Sequence, residues 1–221
     1  DVYKRQCQVN ERLKRAFHTK FWNGNFYISP HYKGKPDDRS QALAVITGIL
    51  PESAYPVIRP FFKQQYHASP YMEKYVLEAL CMMGYYEDAL ERMKKRYYDM
   101  VESKLTTLWE GWGIGNKGYG GGSYNHAWSG GPLTILSHYF AGISPMKPAF
   151  KEFVINPVCN CFGEIHSITP TKWGKIELCL TNKLNVIVVE VKIPRKTKGH
   201  FIIPNGIEKY RINGKGKIAN K

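Results

Sequence analysis

The apolar positions of this chain change period once along its length, recurring at helical spacing up to about residue 150 and alternating beyond it. Residues 8–22 read as the end of a helix. In the segment 37–50, Asp38 and Gln41 resemble a capping box, and Ala42, Leu43, Ala44, Val45 and Ile46 then make a helix apolar on almost every face, as a buried helix must be. Pro51 ends it. A helix over 52–66 follows despite Pro56 and Pro60, and 72–83 is apolar nearly all round. The stretch 87–105 is amphipathic, with Ala89, Leu90, Met93, Tyr97, Met100, Val101 and Leu105 opposite Glu91, Lys94, Lys95 and Asp99. After a glycine-rich break over 111–122, Ser123 is placed to cap a last long helix carrying Leu133, Ile135, Leu136, Tyr139, Phe140 and Ile143. Buried and amphipathic helices thus come in pairs.

Beyond Ser144 and Pro145, alternate residues are apolar over 175–180 (Ile176, Leu178, Leu180) and 186–193 (Ile187, Val189, Val191, Ile193), with a turn over 182–185. Residues 200–203 and 210–212 read as further short strands, bounded by Pro204-Asn205-Gly206 and Asn213-Gly214. The predicted fold class is mainly α with a β module: a helical domain over 1–150, then a small antiparallel β-sandwich over 151–221.

A chain of 221 residues with 43% hydrophobic and 23% charged residues can bury a sizeable core without metal or disulfide staples. No stretch approaches the roughly 18 consecutive apolar residues of a membrane span, and the first twenty residues are basic without an apolar signal core. The net charge of +14 raises nucleic-acid binding as a reading. The basic residues are spread along the whole chain, however, and the densest runs, Lys94-Lys95-Arg96 and Arg195-Lys196 with Lys198, read as solvated faces rather than as a nucleic-acid motif. Five cysteines at irregular spacing give no disulfide framework or zinc site, and the scattered histidines give no metal cluster, so neither cofactor nor metal is expected. Without an initiator Met, and opening inside a helix, the chain reads as a C-terminal fragment, with 1–6 open to being foreign sequence.

Gly113, Gly115 and Gly118 match the dinucleotide fingerprint formally, but a helix precedes them where the motif needs a strand. The informative stretch is 106–132, where Glu110 stands between Trp109 and Trp112 and is followed by Asn125, His126 and Trp128. Sugar rings present apolar faces to tryptophan and hydroxyls to carboxylates, imidazoles and amides, so this set has the composition of a carbohydrate site. A solvated glutamate at a helix end, with tryptophans packing a core, is the plainer alternative.

The order Thr107-Leu108-Trp109-Glu110-Gly111-Trp112, a glycine-rich loop, then Ser123-Tyr124-Asn125-His126-Ala127-Trp128-Ser129-Gly130-Gly131-Pro132 resembles the C-terminal half of bacterial α-L-rhamnosidases of glycoside hydrolase family 78. The later Gly142, Ile143, Pro145, Pro148, Phe150, Phe153, Ile155 and Pro157 continue the likeness. Asp37 to Ala44 is similar to a helix start of their six-hairpin domain, and Val191, Ile193, Pro194, Ile212, Asn213 and Gly214 are similar to their C-terminal β domain, so the resemblance covers nearly all of the chain after residue 8.

The resemblance implies part of an (α/α)6 barrel with its active site at the mouth formed by inter-helix loops, and removal of terminal α-L-rhamnose from glycans or glycosides with inversion. It implies Glu110 as general base and His126 as a sugar ligand, with Trp109, Trp112, Asn125 and Trp128 shaping the pocket. Tyr27, His31, Asp37 and Asp38 are further candidates for the same mouth, although helix capping accounts for the aspartates. An inverting enzyme needs a second carboxyl roughly 6.5–9.5 Å away as general acid, and no matching acidic motif stands in residues 1–36. The fragment is therefore expected to be inactive alone, with inner helices that leave apolar surface open to self-association. The alternatives are a non-catalytic carbohydrate-binding six-hairpin protein and an (α/α)6 enzyme for another sugar.

Overall fold

The computed structural model describes residues 2–113, 122–183, 186–203, 209–215 and 217–220, and the chain divides into two compact units, Asp1–Pro132 and Leu133–Lys221. The division falls earlier than the change of period at 150. Gly115 and Gly118 of the glycine-rich loop, part of the turn expected over 182–185, and the turn over 204–206 lie outside the described residues.

In the first unit, α1 (Val2–Phe21) starts at residue 2, so residues 2–6 continue the helix into which they lead, and none of its residues is buried. Its last turn is fixed by aromatic contacts: the Tyr27 hydroxyl lies 2.7 Å from His18 Nδ1, and Trp22 bridges to Tyr27. α2 (Asp38–Ile46) departs from the expected capping box. Asp37 is the cap, accepting the Arg39 amide at 2.8 Å, because Asp38 is drawn inward to a buried cation. Gln41 clamps the Tyr27 backbone, accepting from its N–H at 2.7 Å and donating to its carbonyl at 2.8 Å, and also donates to the Asp37 carbonyl at 3.1 Å.

A 3₁₀ turn, Glu52–Ala54, leads into α3 (Tyr55–Gln64), where Pro56 takes an early position whose amide needs no partner. α4 (Pro70–Met82) is capped by Ser69, which accepts the Met72 amide at 3.4 Å. α5 (Tyr86–Glu102) is the amphipathic helix. α2 packs against α4 and α4 against α5, burying Ala42, Val45, Val76, Leu77, Leu80 and Met93. Leu43, Tyr71 and Met82 on these helices stay exposed.

The long helix expected after Ser123 is instead three short pieces: a 3₁₀ turn Ala127–Gly130, α6 (Gly131–Ile135) and a π-helical turn Leu136–Phe140. The cap is His126, not Ser123. The three pieces are contiguous over 127–140, and Gly131, at φ −47° and ψ −41°, continues the run as its type changes.

Among the described residues the second unit has eight strands in two four-stranded sheets: β1 (Ile143–Pro145), β2 (Glu152–Ile155), β3 (Glu164–Thr171), β4 (Gly174–Lys183), β5 (Val186–Lys192), β6 (Lys198–Phe201), β7 (Lys209–Lys215) and β8 (Lys217–Asn220). One sheet runs β1-β2-β6-β8 and the other β3-β4-β5-β7. The sandwich is not purely antiparallel as expected. β2–β6, β6–β8 and β5–β7 pair in parallel, because each joins strands separated by a long connection rather than a tight hairpin. The alternating residues close the core: Ile176, Leu178, Leu180, Ile187, Val189 and Val191 from one sheet pack with Ile143, Phe153, Ile155 and Phe201 from the other. Gly142 enters the first strand at φ +68°, and a Cβ there would stand 2.0 Å from the Asn156 carbonyl oxygen, so only glycine fits.

Candidate active site

Two segments of the first unit, 107–110 and 123–126, lie side by side and hold the candidate carboxylate. The Glu110 amide donates to the Ser123 carbonyl at 2.9 Å and the His126 amide to the Leu108 carbonyl at 2.8 Å, while the Thr107 hydroxyl donates to the Tyr124 carbonyl. Glu110 Oε2 accepts the Ser123 amide at 2.8 Å. Trp128 closes the arrangement by donating its indole N–H to the Glu110 carbonyl at 3.0 Å. Backbone and side chain of Glu110 are thus both tied to the returning segment.

Glu110 lines a cavity of about 370 Å³ together with Trp112, Trp128, Arg39, His67 and the chain 68–70. Within hydrogen-bond range of the described residues, Oε1 has no partner. Trp112 is fixed at its far edge: its indole N–H donates to the Ala68 carbonyl at 2.7 Å, and its ring meets Tyr97 edge-on at 4.9 Å with the Arg96 guanidinium 4.1 Å from its centroid. Trp128 is backed by Tyr71 at 5.6 Å and by the His126 ring, stacked at 4.1 Å. His126 Nδ1 also accepts the Trp128 amide at 3.4 Å.

The other sequence candidates stand further off. Trp109 meets Tyr124 edge-on at 5.4 Å, and its indole N–H is buried without a partner among the described residues. Asn125 is exposed, its carbonyl accepting the Ser123 hydroxyl at 3.4 Å. Among the described lining residues the structure therefore brings together Glu110, Trp112 and Trp128, with His126 behind Trp128 and with Trp109 and Asn125 outside the wall. Tyr27 is buried against Gln41, with burial raising its hydroxyl to about 12, and His31 is exposed.

Arg39 and His67 are cavity residues that sequence reasoning did not single out for this site. Arg39 pairs with Asp37 through Nε at 2.8 and 2.9 Å, and that hydrogen bond holds the Asp37 carboxyl below the usual carboxylate range.

The wall 65–70 is set from behind by buried ions. Arg92 donates through Nε to Glu73 at 2.6 Å and through Nη2 to Asp38 at 2.6 Å, and its Nη1 donates to the carbonyls of Phe62 at 2.6 Å and Gln65 at 2.8 Å. Asp38 and Glu73 are fully buried. Burial opposes the Arg92 charge, but Glu73 and Asp38 outweigh it and leave its pKa above the ordinary guanidinium value. Asp38 also accepts the His67 amide at 3.2 Å. Arg96 binds the Tyr66 carbonyl at 3.1 Å and the Ala68 carbonyl, so α5 grips the strip from which His67, Ala68, Ser69 and Pro70 face the cavity.

Among the described residues no group of three or more His, Cys, Asp or Glu side chains is placed to hold a metal ion, and no helix is long and apolar enough to cross a membrane.

Residues 142–219 match the model of the bacterial alpha-L-rhamnosidase C-terminal domain. A search of curated proteins gives no match. Among solved structures, the chain superposes on the GH78 family rhamnosidase of Bacillus sp. GL1 with a TM-score of 0.77 at 18% identity, over 95% of this chain and 24% of that one. The alpha-L-rhamnosidase from Dictyoglumus thermophilum gives 0.76 at 21% identity over 94% and 24%, and that of Streptomyces avermitilis, solved with L-rhamnose, gives 0.72 at 18% over 90% and 21%. The chain therefore spans about a quarter of the length of these solved relatives. Residues 142–219 carry the sequence pattern of a bacterial α-L-rhamnosidase C-terminal domain, and the chain as a whole resembles a glycoside hydrolase family 78 rhamnosidase fragment in its fold.

Proposed function

We propose that this chain is the base-bearing part of an inverting glycoside hydrolase that removes terminal α-L-rhamnose, with Glu110 as the water-activating base. The observation that carries this reading is the placement of Glu110 in the wall of a cavity shared with two tryptophans. In an inverting reaction a carboxylate takes a proton from water as the oxygen attacks the anomeric carbon, while a carboxylic acid on the opposite face protonates the departing oxygen. Glu110 suits the first role, because Ser123 fixes Oε2 and leaves Oε1 to accept the proton. Trp112 and Trp128 offer flat apolar faces to the ring, and His126 steadies Trp128.

Glu110 is the one carboxylate among the described lining residues, so the chain contributes one half of the acid–base pair. We read α1–α5 as part of an (α/α)6 barrel, a reading supported by the alternation in which α2 packs against α4 across the outer α3.

The test uses the 221-residue chain. L-rhamnose is expected to move the indole N–H resonances of Trp112 and Trp128 equally in the wild type and in Glu110→Gln, and the chain extended by a segment that supplies the general acid is expected to hydrolyse a chromogenic α-L-rhamnoside and to lose that turnover in Glu110→Gln. Rhamnose that leaves both indoles unmoved overturns the sugar site, and turnover that survives Glu110→Gln overturns the role of the glutamate.

A further inference from the structure

The second unit concentrates the positive charge of the chain. From residue 133 onward there are fourteen Lys and Arg against five Asp and Glu. At one end of this unit three segments converge. Trp173, in the β3–β4 turn, has the Lys151 ammonium 4.6 Å and the Lys172 ammonium 5.2 Å from its ring centroid. Lys151 also donates to the Lys196 carbonyl at 2.6 Å, joining the turn to the loop before β6. Gly174 abuts the same loop, since a Cβ there would lie 3.5 Å from Pro194.

The cluster is held in place by its own hydrogen bonds. Thr171 Oγ1 donates to the Gly174 carbonyl at 2.7 Å and accepts the Trp173 amide at 3.1 Å. Thr197 donates to the Pro194 carbonyl through its amide at 3.1 Å and its hydroxyl at 2.7 Å. Lys151, Lys172, Lys175, Arg195 and Lys196 are all exposed. Nearby carboxylates are engaged elsewhere, Glu152 by Lys147 at 2.6 Å and Glu177 by Lys192 at 3.0 Å. Among the described residues these five cations have no carboxylate within ion-pair distance.

We propose that this end of the β unit binds an acidic polysaccharide, with Lys151 and Lys172, steadied over Trp173, pairing with its anionic groups. The same cations would attract any polyanion, and one observation favours a glycan. Both ammonium groups stand against the Trp173 ring, which removes the aromatic platform that single-stranded nucleic acid uses for base stacking. The proposal rests on the geometry of this cluster and not on the proposed sugar reading of the Glu110 cavity.

The experiment titrates the chain with polygalacturonate, which contains no rhamnose and so does not depend on the Glu110 cavity. Binding is expected at 50 mM NaCl and should weaken at 200 mM. The double substitution Lys151→Ala/Lys172→Ala should weaken it about ten-fold, and Lys151→Arg/Lys172→Arg should preserve it. Lys94→Ala/Lys95→Ala removes the same charge from α5 and should leave binding within about two-fold. Equal losses from the two alanine pairs, or no loss from the first, would overturn the proposal. Duplex DNA bound as tightly as polygalacturonate, and lost through the same substitutions, would overturn the choice of a glycan.

Discussion

Truncating Arg92 to alanine would leave the fully buried Asp38 without its cation and the fully buried Glu73 with only the Arg96 guanidinium, 3.5 Å away. It would also orphan the Phe62 and Gln65 carbonyls, which accept from Arg92 at 2.6 and 2.8 Å. Breaking a buried pair by removing one partner costs about 3–5 kcal/mol, a fifth or more of the roughly 5–15 kcal/mol that holds an ordinary domain folded. With a urea dependence of about 2 kcal/mol per molar, the unfolding midpoint should fall by about 2 M. Trp112 reports on the right unit, since it bonds the same Ala68 carbonyl as Arg96. Its fluorescence through a urea titration is the assay. The triple variant Arg92→Met/Asp38→Leu/Glu73→Met should recover part of the loss, because it removes the buried carboxylates while leaving the two carbonyls, the His67 amide and Arg96 without these partners. A cost below about 1 kcal/mol for Arg92→Ala, or a triple variant no more stable than the single, would refute this account of the network.

Asp88 is held below the usual carboxylate range by hydrogen bonds from Arg59 and Lys63. Its folded pKa lies under its unfolded one, so its contribution is complete above about pH 4 and disappears as pH falls through the folded value. Thermal melts from pH 7 to pH 2.5 should therefore show a steeper acid loss in the wild type than in Asp88→Asn, and parallel curves would count against the pairing. Gly142→Ala adds a Cβ 2.0 Å from the Asn156 oxygen at φ +68° and should destabilise the β unit by well over the roughly 1–2 kcal/mol of a left-handed alanine alone. Gly24→Ala, at φ +99° with nothing within 4 Å, should show only that smaller strain in the same denaturation assay.

Periodicity was informative wherever one face of an element meets the core. The run Ile176, Leu178, Leu180 and its partner Ile187, Val189, Val191 lie inward on antiparallel β4 and β5, as their alternation requires. α5 buries Ala89, Met93, Tyr97 and Met100 of its expected apolar stripe, while Val101 and Leu105, at and beyond its end, stay exposed. The same logic concealed Arg92. On α5 a charged side chain reads as solvent-facing, and only the arrival of Glu73 from α4 and Asp38 from α2 makes its burial tolerable. Asp38 was obscured for a related reason, since two consecutive aspartates at a helix start give no sign of which one caps. Parallel pairings such as Glu152 with Lys198 join residues far apart in sequence and leave no local signature. At the candidate site, the tryptophans and Glu110 were visible as a cluster. Arg39 and His67 were not, because the wall they share with Glu110 is assembled by Arg92 and Arg96 from another helix.

The strand order β1-β2-β6-β8 has a bearing on how the β unit comes into being on the ribosome. β2 has β1 on one flank and must await β6, 46 positions downstream in register, for the other, and β6 in turn awaits β8. Contacts of such long sequence separation form slowly and late. A nascent chain therefore carries one edge of β2 unpaired through most of the synthesis of this unit, and premature termination ahead of β6 would leave an open half-sheet for chaperones or proteases to clear.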